Sequence, residues 1–217
     1  MARISKDPET RKREIVAAAQ GLFIEKGFAE TRISDIVKKL GVSQGVFYYY
    51  FDSKDAVIEA IVAAYMAELI AESERAIGGL RNPLERLAAM AEAQRAVNSR
   101  VNARIHAIKG VDMHERIIRA LVLDYVPMMQ TALDGDTSNP QTRYWLETMV
   151  TAGNVLFDPG IFRWSPEEHA ARVDHLIALM ETTRGLPEGS FGFYRTLMRA
   201  PGATHPHPHH EGSDTRS

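Results

Sequence analysis

The 217-residue sequence predicts an all-α fold, a three-helix helix-turn-helix head on a larger helical body, and three observations predict it. Apolar residues recur three and four apart along most of the chain. Ser, Thr, Asp and Pro stand where these patterns begin, and Gly or Pro stands near their ends. No stretch alternates apolar and polar residues convincingly as a half-buried strand does.

Asp7-Pro8 is an N-cap followed by proline at the first helical position. The helix it opens runs to about Lys26, with Ile15, Ala18, Ala19, Leu22 and Phe23 on one face and Gly27 as its stop. Thr31 is the candidate cap of a second, short helix whose buried stripe is Ile33, Ile36, Val37 and Leu40, ended by Gly41. Ser43 caps a third helix over about Gln44–Tyr50, with Phe47 and Phe51 directed into a small core. Ser53 caps a long helix to about Ile77, with Asp55 in its first turn and Val57, Ile61, Tyr65 and Leu69 on its apolar face. Gly78-Gly79 and Asn82-Pro83 break the chain there. Further helices are expected over about 84–99, 101–109, 114–133, 141–157 and 166–184, with a kink or split at Pro127. A short terminal helix is expected within Phe191–Met198. Residues 201–217, with His205-Pro-His-Pro-His-His210, have the composition of a disordered tail. The domain reading is a head over 1–54, a connecting helix over 54–77, a body over 78–200 and the tail.

Hydrophobic residues make up 45% of the chain, enough for a packed core. Cysteine is absent, which excludes disulfides, thiolate zinc sites and thiol catalysis. No apolar run approaches the roughly 20 residues of a spanning helix, and the N-terminus lacks the apolar stretch of a secretory signal. The expectation is a soluble, cytoplasmic protein with no membrane partner. The net charge of −2 is uneven: residues 1–54 carry 10 Lys and Arg against 7 Asp and Glu, and the remainder 16 against 21. Positive charge thus sits on the segment with the tight Gly41-Val42-Ser43 turn, where binding to a phosphate backbone needs it.

That segment has the layout of a DNA-gripping helix-turn-helix. Gln44 suits bidentate contact with adenine in the major groove. Gly45 leaves room for close approach to a duplex. Tyrosine hydroxyls and Lys54 suit phosphate oxygens, which position a protein without reading sequence. Because Phe47 and Phe51 supply the core face, Tyr48 and Tyr49 must point elsewhere. Arg3, Lys6, Arg11, Lys12 and Arg13 form either a mobile arm near a neighbouring groove or a solvated basic end.

The ordered string Gly27-Phe28, Thr31, Ile33, Asp35-Ile36-Val37, Gly41-Val42-Ser43, Gly45, Phe47-Tyr48, Tyr50-Phe51 and Ser53-Lys54-Asp55 resembles the tetracycline-repressor (TetR) type of transcriptional regulator over roughly residues 11–70. The resemblance implies a homodimer that offers its third helices to the major groove of a double-stranded DNA operator. It implies phosphate contacts from Thr31, Tyr48, Tyr50 and Lys54, with Ser43, Gln44 and Gly45 at the entrance of the recognition helix. Arg32 departs from the commoner small polar residue at its position, and is either a phosphate or base contact or a solvated side chain. Tyr49 falls at a variable position of the family, and its role is open.

The resemblance also assigns dimerisation to the last two long helices. Leu146, Met149, Val150, Gly153, Val155 and Leu156, with Val173, Leu176, Ile177 and Met180, form an apolar surface that serves either a partner or the chain's own core. An unidentified small-molecule effector belongs in the body, where Tyr65, Met66, Met90, Arg104, His106, His114, Met128, Met129 and Trp145 are the candidates; methionines and aromatics adapt to varied apolar ligands. No metal triad, Gly-rich phosphate loop or nucleophile elbow is present, so neither an enzyme nor a cofactor is expected. The expected function is a ligand-released repressor of a near-palindromic operator. The alternatives are an activator of the same fold and a metal-handling protein acting through the histidine tail.

Overall fold

A computed structural model describes residues 7–158 and 161–198, with the side chains of residues 102, 103 and 106 left aside. Arg3, Lys6, the side chain of His106 and the histidine tail therefore lie outside the described residues. The described chain is helical without strands, in the order α1 (Pro8–Lys26), α2 (Ile33–Leu40), α3 (Gln44–Tyr50), α4 (Lys54–Ile77), α5 (Pro83–His106), α6 (Met113–Ala120), a π-helical turn (Leu121–Tyr125), α7 (Val126–Asp134), α8 (Pro140–Leu156), α9 (Pro166–Arg184) and α10 (Tyr194–Met198). No described helix is long and apolar enough to cross a membrane. The chain divides into two units, one up to Thr151 and one from Ala152 onward. The first unit thus holds the head together with α4–α7 and most of α8.

The head forms for local reasons. Asp7 accepts the backbone N–H of Thr10 at 3.1 Å, satisfying one of the donors left free at the start of α1. Ile15, Ala19 and Phe23 are fully buried on its inner face. Gly41 ends α2 in the left-handed conformation, at φ 64°. There the N–H of Val42 reaches back to the carbonyl of Val37 at 3.0 Å. Phe47 is fully buried and Phe51 nearly so, their ring centroids 6.0 Å apart. Burial of a phenylalanine side chain stabilises by roughly 1.5–3 kcal/mol, a large share of what so small a core offers. Ser53 caps α4 by accepting the N–H of Ala56 at 3.1 Å.

Two sequence expectations are corrected, and a third is met in a specific form. Thr31 does not cap α2; Arg32 occupies that position, and its N–H donates to Asp35 at 3.1 Å. The expected break near residue 100 is absent, and α5 runs unbroken to His106. Ties to α4 hold it there: the Tyr65 hydroxyl donates to Asn98 at 2.7 Å, and Arg100 pairs with Glu68 at 2.9 Å. The kink or split expected at Pro127 within the 114–133 helix takes the form of the π-helical turn just before that residue. Proline has no N–H to offer the carbonyl of residue 123, and the N–H of Val126 bonds one residue further back, to Leu121. The wider turn brings the Tyr125 hydroxyl to 2.7 Å from Ser73 on α4.

In the second unit, Ser165 and Glu168 close a reciprocal capping box at the start of α9. Arg172 stacks on Trp164, 3.5 Å from its ring centroid. The buried Glu181 accepts the N–H of Phe191 at 2.9 Å, and Arg195 of α10 pairs with Asp174 of α9 at 2.8 Å. The surface expected for a partner is largely turned inward. Leu146, Val173, Leu176, Ile177 and Met180 are buried in the single chain, and Met149 and Val150 are half-buried. A Cβ on Gly153 would touch Met198 at 3.5 Å and Leu176 at 4.0 Å.

Candidate nucleic-acid interface

The exposed face of α3 is set by the burial of its other face. With Phe47 inside, Ser43, Gln44, Gly45, Tyr48 and Tyr49 are all exposed, and Tyr50 is half-buried. Tyr48 is 53% exposed and Tyr49 78%, uncommonly open for tyrosines on one short helix. Each ring is nonetheless held: Tyr48 stands edge-on to Phe47 at 5.6 Å, and Tyr49 edge-on to Tyr50 at 4.9 Å. Neighbouring side chains thus orient both rings while their outer faces stay open.

Ser43 occupies the N-cap of α3, but its hydroxyl makes no capping bond. A Cβ on Gly45 would meet only the Ser43 hydroxyl, at 3.7 Å. Among the described residues, none crowds this position. Gln44 also borders a depression lined by Ala29, Arg32 and Ser34 from one side and by Asp52, Ser53 and Asp55 from another. Arg32 is exposed beside it. Ser43, Gln44, Gly45, Tyr48, Tyr49 and Arg32 are thus all open to solvent.

Thr31 and Lys54 differ. The Thr31 side chain is fully buried, and its hydroxyl donates to the carbonyls of Gly27 at 2.7 Å and Leu22 at 3.3 Å. That hydroxyl is turned into the head rather than toward solvent. The Lys54 ammonium donates to the carbonyls of Phe28 and Thr31, each at 2.7 Å, and to that of Ala29 at 3.4 Å. An ammonium has three protons, and three carbonyls receive them. It also lies 4.6 Å from the centroid of the Phe28 ring. In this structure Lys54 fastens the α1–α2 loop to the start of α4. Asp35, which accepts the Arg32 N–H and faces Lys26 at 3.6 Å, has its carboxyl pKa lowered, first by that backbone bond.

The effector candidates differ in their exposure. Tyr65 is buried with its hydroxyl on Asn98, and burial raises its pKa. Arg104 is exposed, and Met128 and Trp145 are half-buried. The buried pair Ser73 and Tyr125 was not among the candidates, and only the structure brings these two residues together.

Residues 15–61 match the family model for bacterial regulatory proteins of the tetR family. The chain is 29% identical over 87 residues to the HTH-type transcriptional repressor KstR2 of Mycobacterium tuberculosis, covering 40% of this chain and 44% of that one. It is 37% identical over 79 residues to the HTH-type transcriptional regulator HbdR of Aromatoleum sp., covering 36% and 34%. The chain thus spans less than half the length of these curated relatives. A solved structure, a TetR-like transcriptional regulator from Rhodococcus sp. RHA1, covers 89% of this chain and 96% of its own at a TM-score of 0.50 and 14% identity, a likeness of fold. The match falls on the helices that build the exposed tyrosine face, so it is this segment of the chain that is similar to the tetR family of bacterial regulatory proteins.

Proposed function

We propose that the protein is a DNA-binding transcriptional regulator, a homodimeric repressor that a small molecule releases from a near-palindromic operator. The observation that carries this reading is the open face of α3, where Gln44, Gly45, Tyr48 and Tyr49 stand together above a core closed by Phe47. Gln44 reads a base edge, and the tyrosines hold the backbone. Arg32, at the start of α2, adds a positive contact beside them.

Two heads on a two-fold axis engage half-sites about 34–36 Å apart, or a multiple of that. The surface α9 leaves for a second copy is its exposed side, Ala171, His175, Ala178, Leu179 and Thr182, opposite the buried Val173, Leu176, Ile177 and Met180. An effector binding in the body shifts the population toward head spacings that no longer fit the two half-sites. The methionine-containing interior holding Met66, Met90 and Met129, with the Tyr65–Asn98 and Ser73–Tyr125 pairs, supplies apolar volume and hydrogen-bonding groups for it. A salt titration of duplex binding tests the electrostatic part. The logarithm of affinity should fall linearly as the logarithm of salt concentration rises, and an affinity indifferent to salt contradicts the reading.

A further inference from the structure

Two sets of contacts reach the head from residues far beyond the helix-turn-helix. The N–H of Phe28, in the α1–α2 loop, donates to the carbonyl of Lys109 at 2.9 Å, in the loop between α5 and α6. Phe28 is thereby held on several sides. Its carbonyl accepts from Lys54, its ring lies beneath the same ammonium, and that ring also packs on Phe23 at 5.2 Å. The second set is ionic. Arg116 of α6 pairs with Glu59 and, at 3.1 Å, with Asp55. Arg119 reaches both oxygens of Glu59, at 3.1 and 3.2 Å. Asp55 and Glu59 belong to the first two turns of α4, immediately after Lys54.

We propose that α6 and the loop before it are a positioning brace for the DNA-reading face. Arg116 and Arg119 seat α6 against the start of α4, and that seating keeps the Lys109 carbonyl on Phe28. With Phe28 fixed, the loop leading into α2 is fixed, and α3 is held at the angle that lets Gln44 and Tyr48 engage together. None of this requires Arg116 or Glu59 to touch DNA, and both lie outside α2 and α3. A single exposed ion pair contributes little, but here two arginines converge on Glu59 and one of them also takes Asp55. The inference rests on the reading of α3 as a DNA-binding face.

Long-range electrostatics and positioning predict different outcomes, which makes the idea testable. Removing a negative charge with Glu59→Gln should raise affinity for every duplex if charge alone matters, while Arg116→Ala should lower it. Positioning predicts that both substitutions lower the ratio of operator to non-specific affinity, by about two- to fivefold. It also predicts that the double variant loses no more than either single one, and that Arg116→Lys retains part of the ratio. The experiment measures binding of the full-length protein to a selected operator and to a scrambled duplex at one salt concentration. Amide exchange at Phe28 is followed in the same variants without DNA, where faster exchange is expected. A ratio left at the wild-type value in Glu59→Gln and Arg116→Ala overturns the brace, as does an unchanged Phe28 exchange rate. A wild-type protein that prefers no duplex at all instead defeats the DNA-reading function, and Phe28 exchange then judges the brace by itself.

Discussion

The ammonium of Lys54 donates to the carbonyl oxygen of Thr31 at 2.7 Å, and the Thr31 hydroxyl donates in turn to the carbonyl of Gly27 at 2.7 Å. The chain of bonds ties the start of α4 through the α1–α2 loop to the end of α1. Hydrogen bonds involving a charged group contribute about 1.5–3 kcal/mol net. Lys54→Ala should therefore lower unfolding free energy by about 1–3 kcal/mol, read by urea denaturation. Operator affinity should fall as α2 loosens, but the salt slope should stay at the wild-type value. A slope smaller by about 1 would mean that Lys54 does contact a phosphate.

On the proposed function, the open face of α3 makes two kinds of contact. Gln44→Ala should cost about 1–3 kcal/mol of discrimination at one A·T pair and little affinity for scrambled duplex. Tyr48→Phe removes one neutral donor and should weaken all duplexes alike, by about 0.5–1.5 kcal/mol. Competition binding with a panel of single-base operator variants checks both. Equal losses on every duplex for Gln44→Ala would remove it as a base reader.

Gly45 offers a separation of stability from binding. A Cβ there has only the Ser43 hydroxyl for company, at 3.7 Å. Gly45→Ala should leave the fold intact and stabilise it by up to about 1 kcal/mol. On the proposed function the same methyl group would meet the duplex, so operator affinity should drop by about tenfold, some 1.4 kcal/mol. Thermal unfolding and operator titration of one preparation give both values. Unchanged affinity would place Gly45 away from DNA.

The body predicts an alkaline limit to stability. Burial pushes the Tyr125 hydroxyl up to about 12, partly offset by its bond to Ser73, and burial raises Tyr65 as well. An unfolded tyrosine ionises near 10. Above that pH the unfolded chain sheds a proton that the folded chain keeps, so stability present at neutral pH is lost as pH rises from about 10 toward 12. Tyr125 alone accounts for about 2–3 kcal/mol of that loss. Urea unfolding at pH 8 and pH 11 should show the decline, and Tyr125→Phe should lessen it. A pH-independent midpoint would contradict the buried phenols.

The head was legible because its determinants are local. Asp7-Pro8, Gly41, Ser53 and the Phe47–Phe51 spacing each act within a few residues, and α1–α4 begin and end close to where those residues direct. The bonds of Thr31 and Lys54 were not legible because their partners are backbone carbonyls, which every residue type carries and no sequence pattern marks. The continuity of α5 depends on Tyr65 and Glu68, some 30 residues away along the chain. On α8 and α9 the apolar period shows which face is buried. It does not reveal whether a partner or the chain itself covers that face, and in the structure the chain covers Val173, Leu176, Ile177 and Met180.

The central claim is that α3 reads a specific duplex. Selection from a random pool of DNA duplexes by the purified full-length protein, at near-physiological salt, addresses it most directly. The account predicts enrichment of a near-palindromic site whose half-sites lie about one helical turn or a multiple apart, with enrichment at the Gln44-contacted position lost in Gln44→Ala. A folded, dimeric protein that enriches no sequence would contradict it.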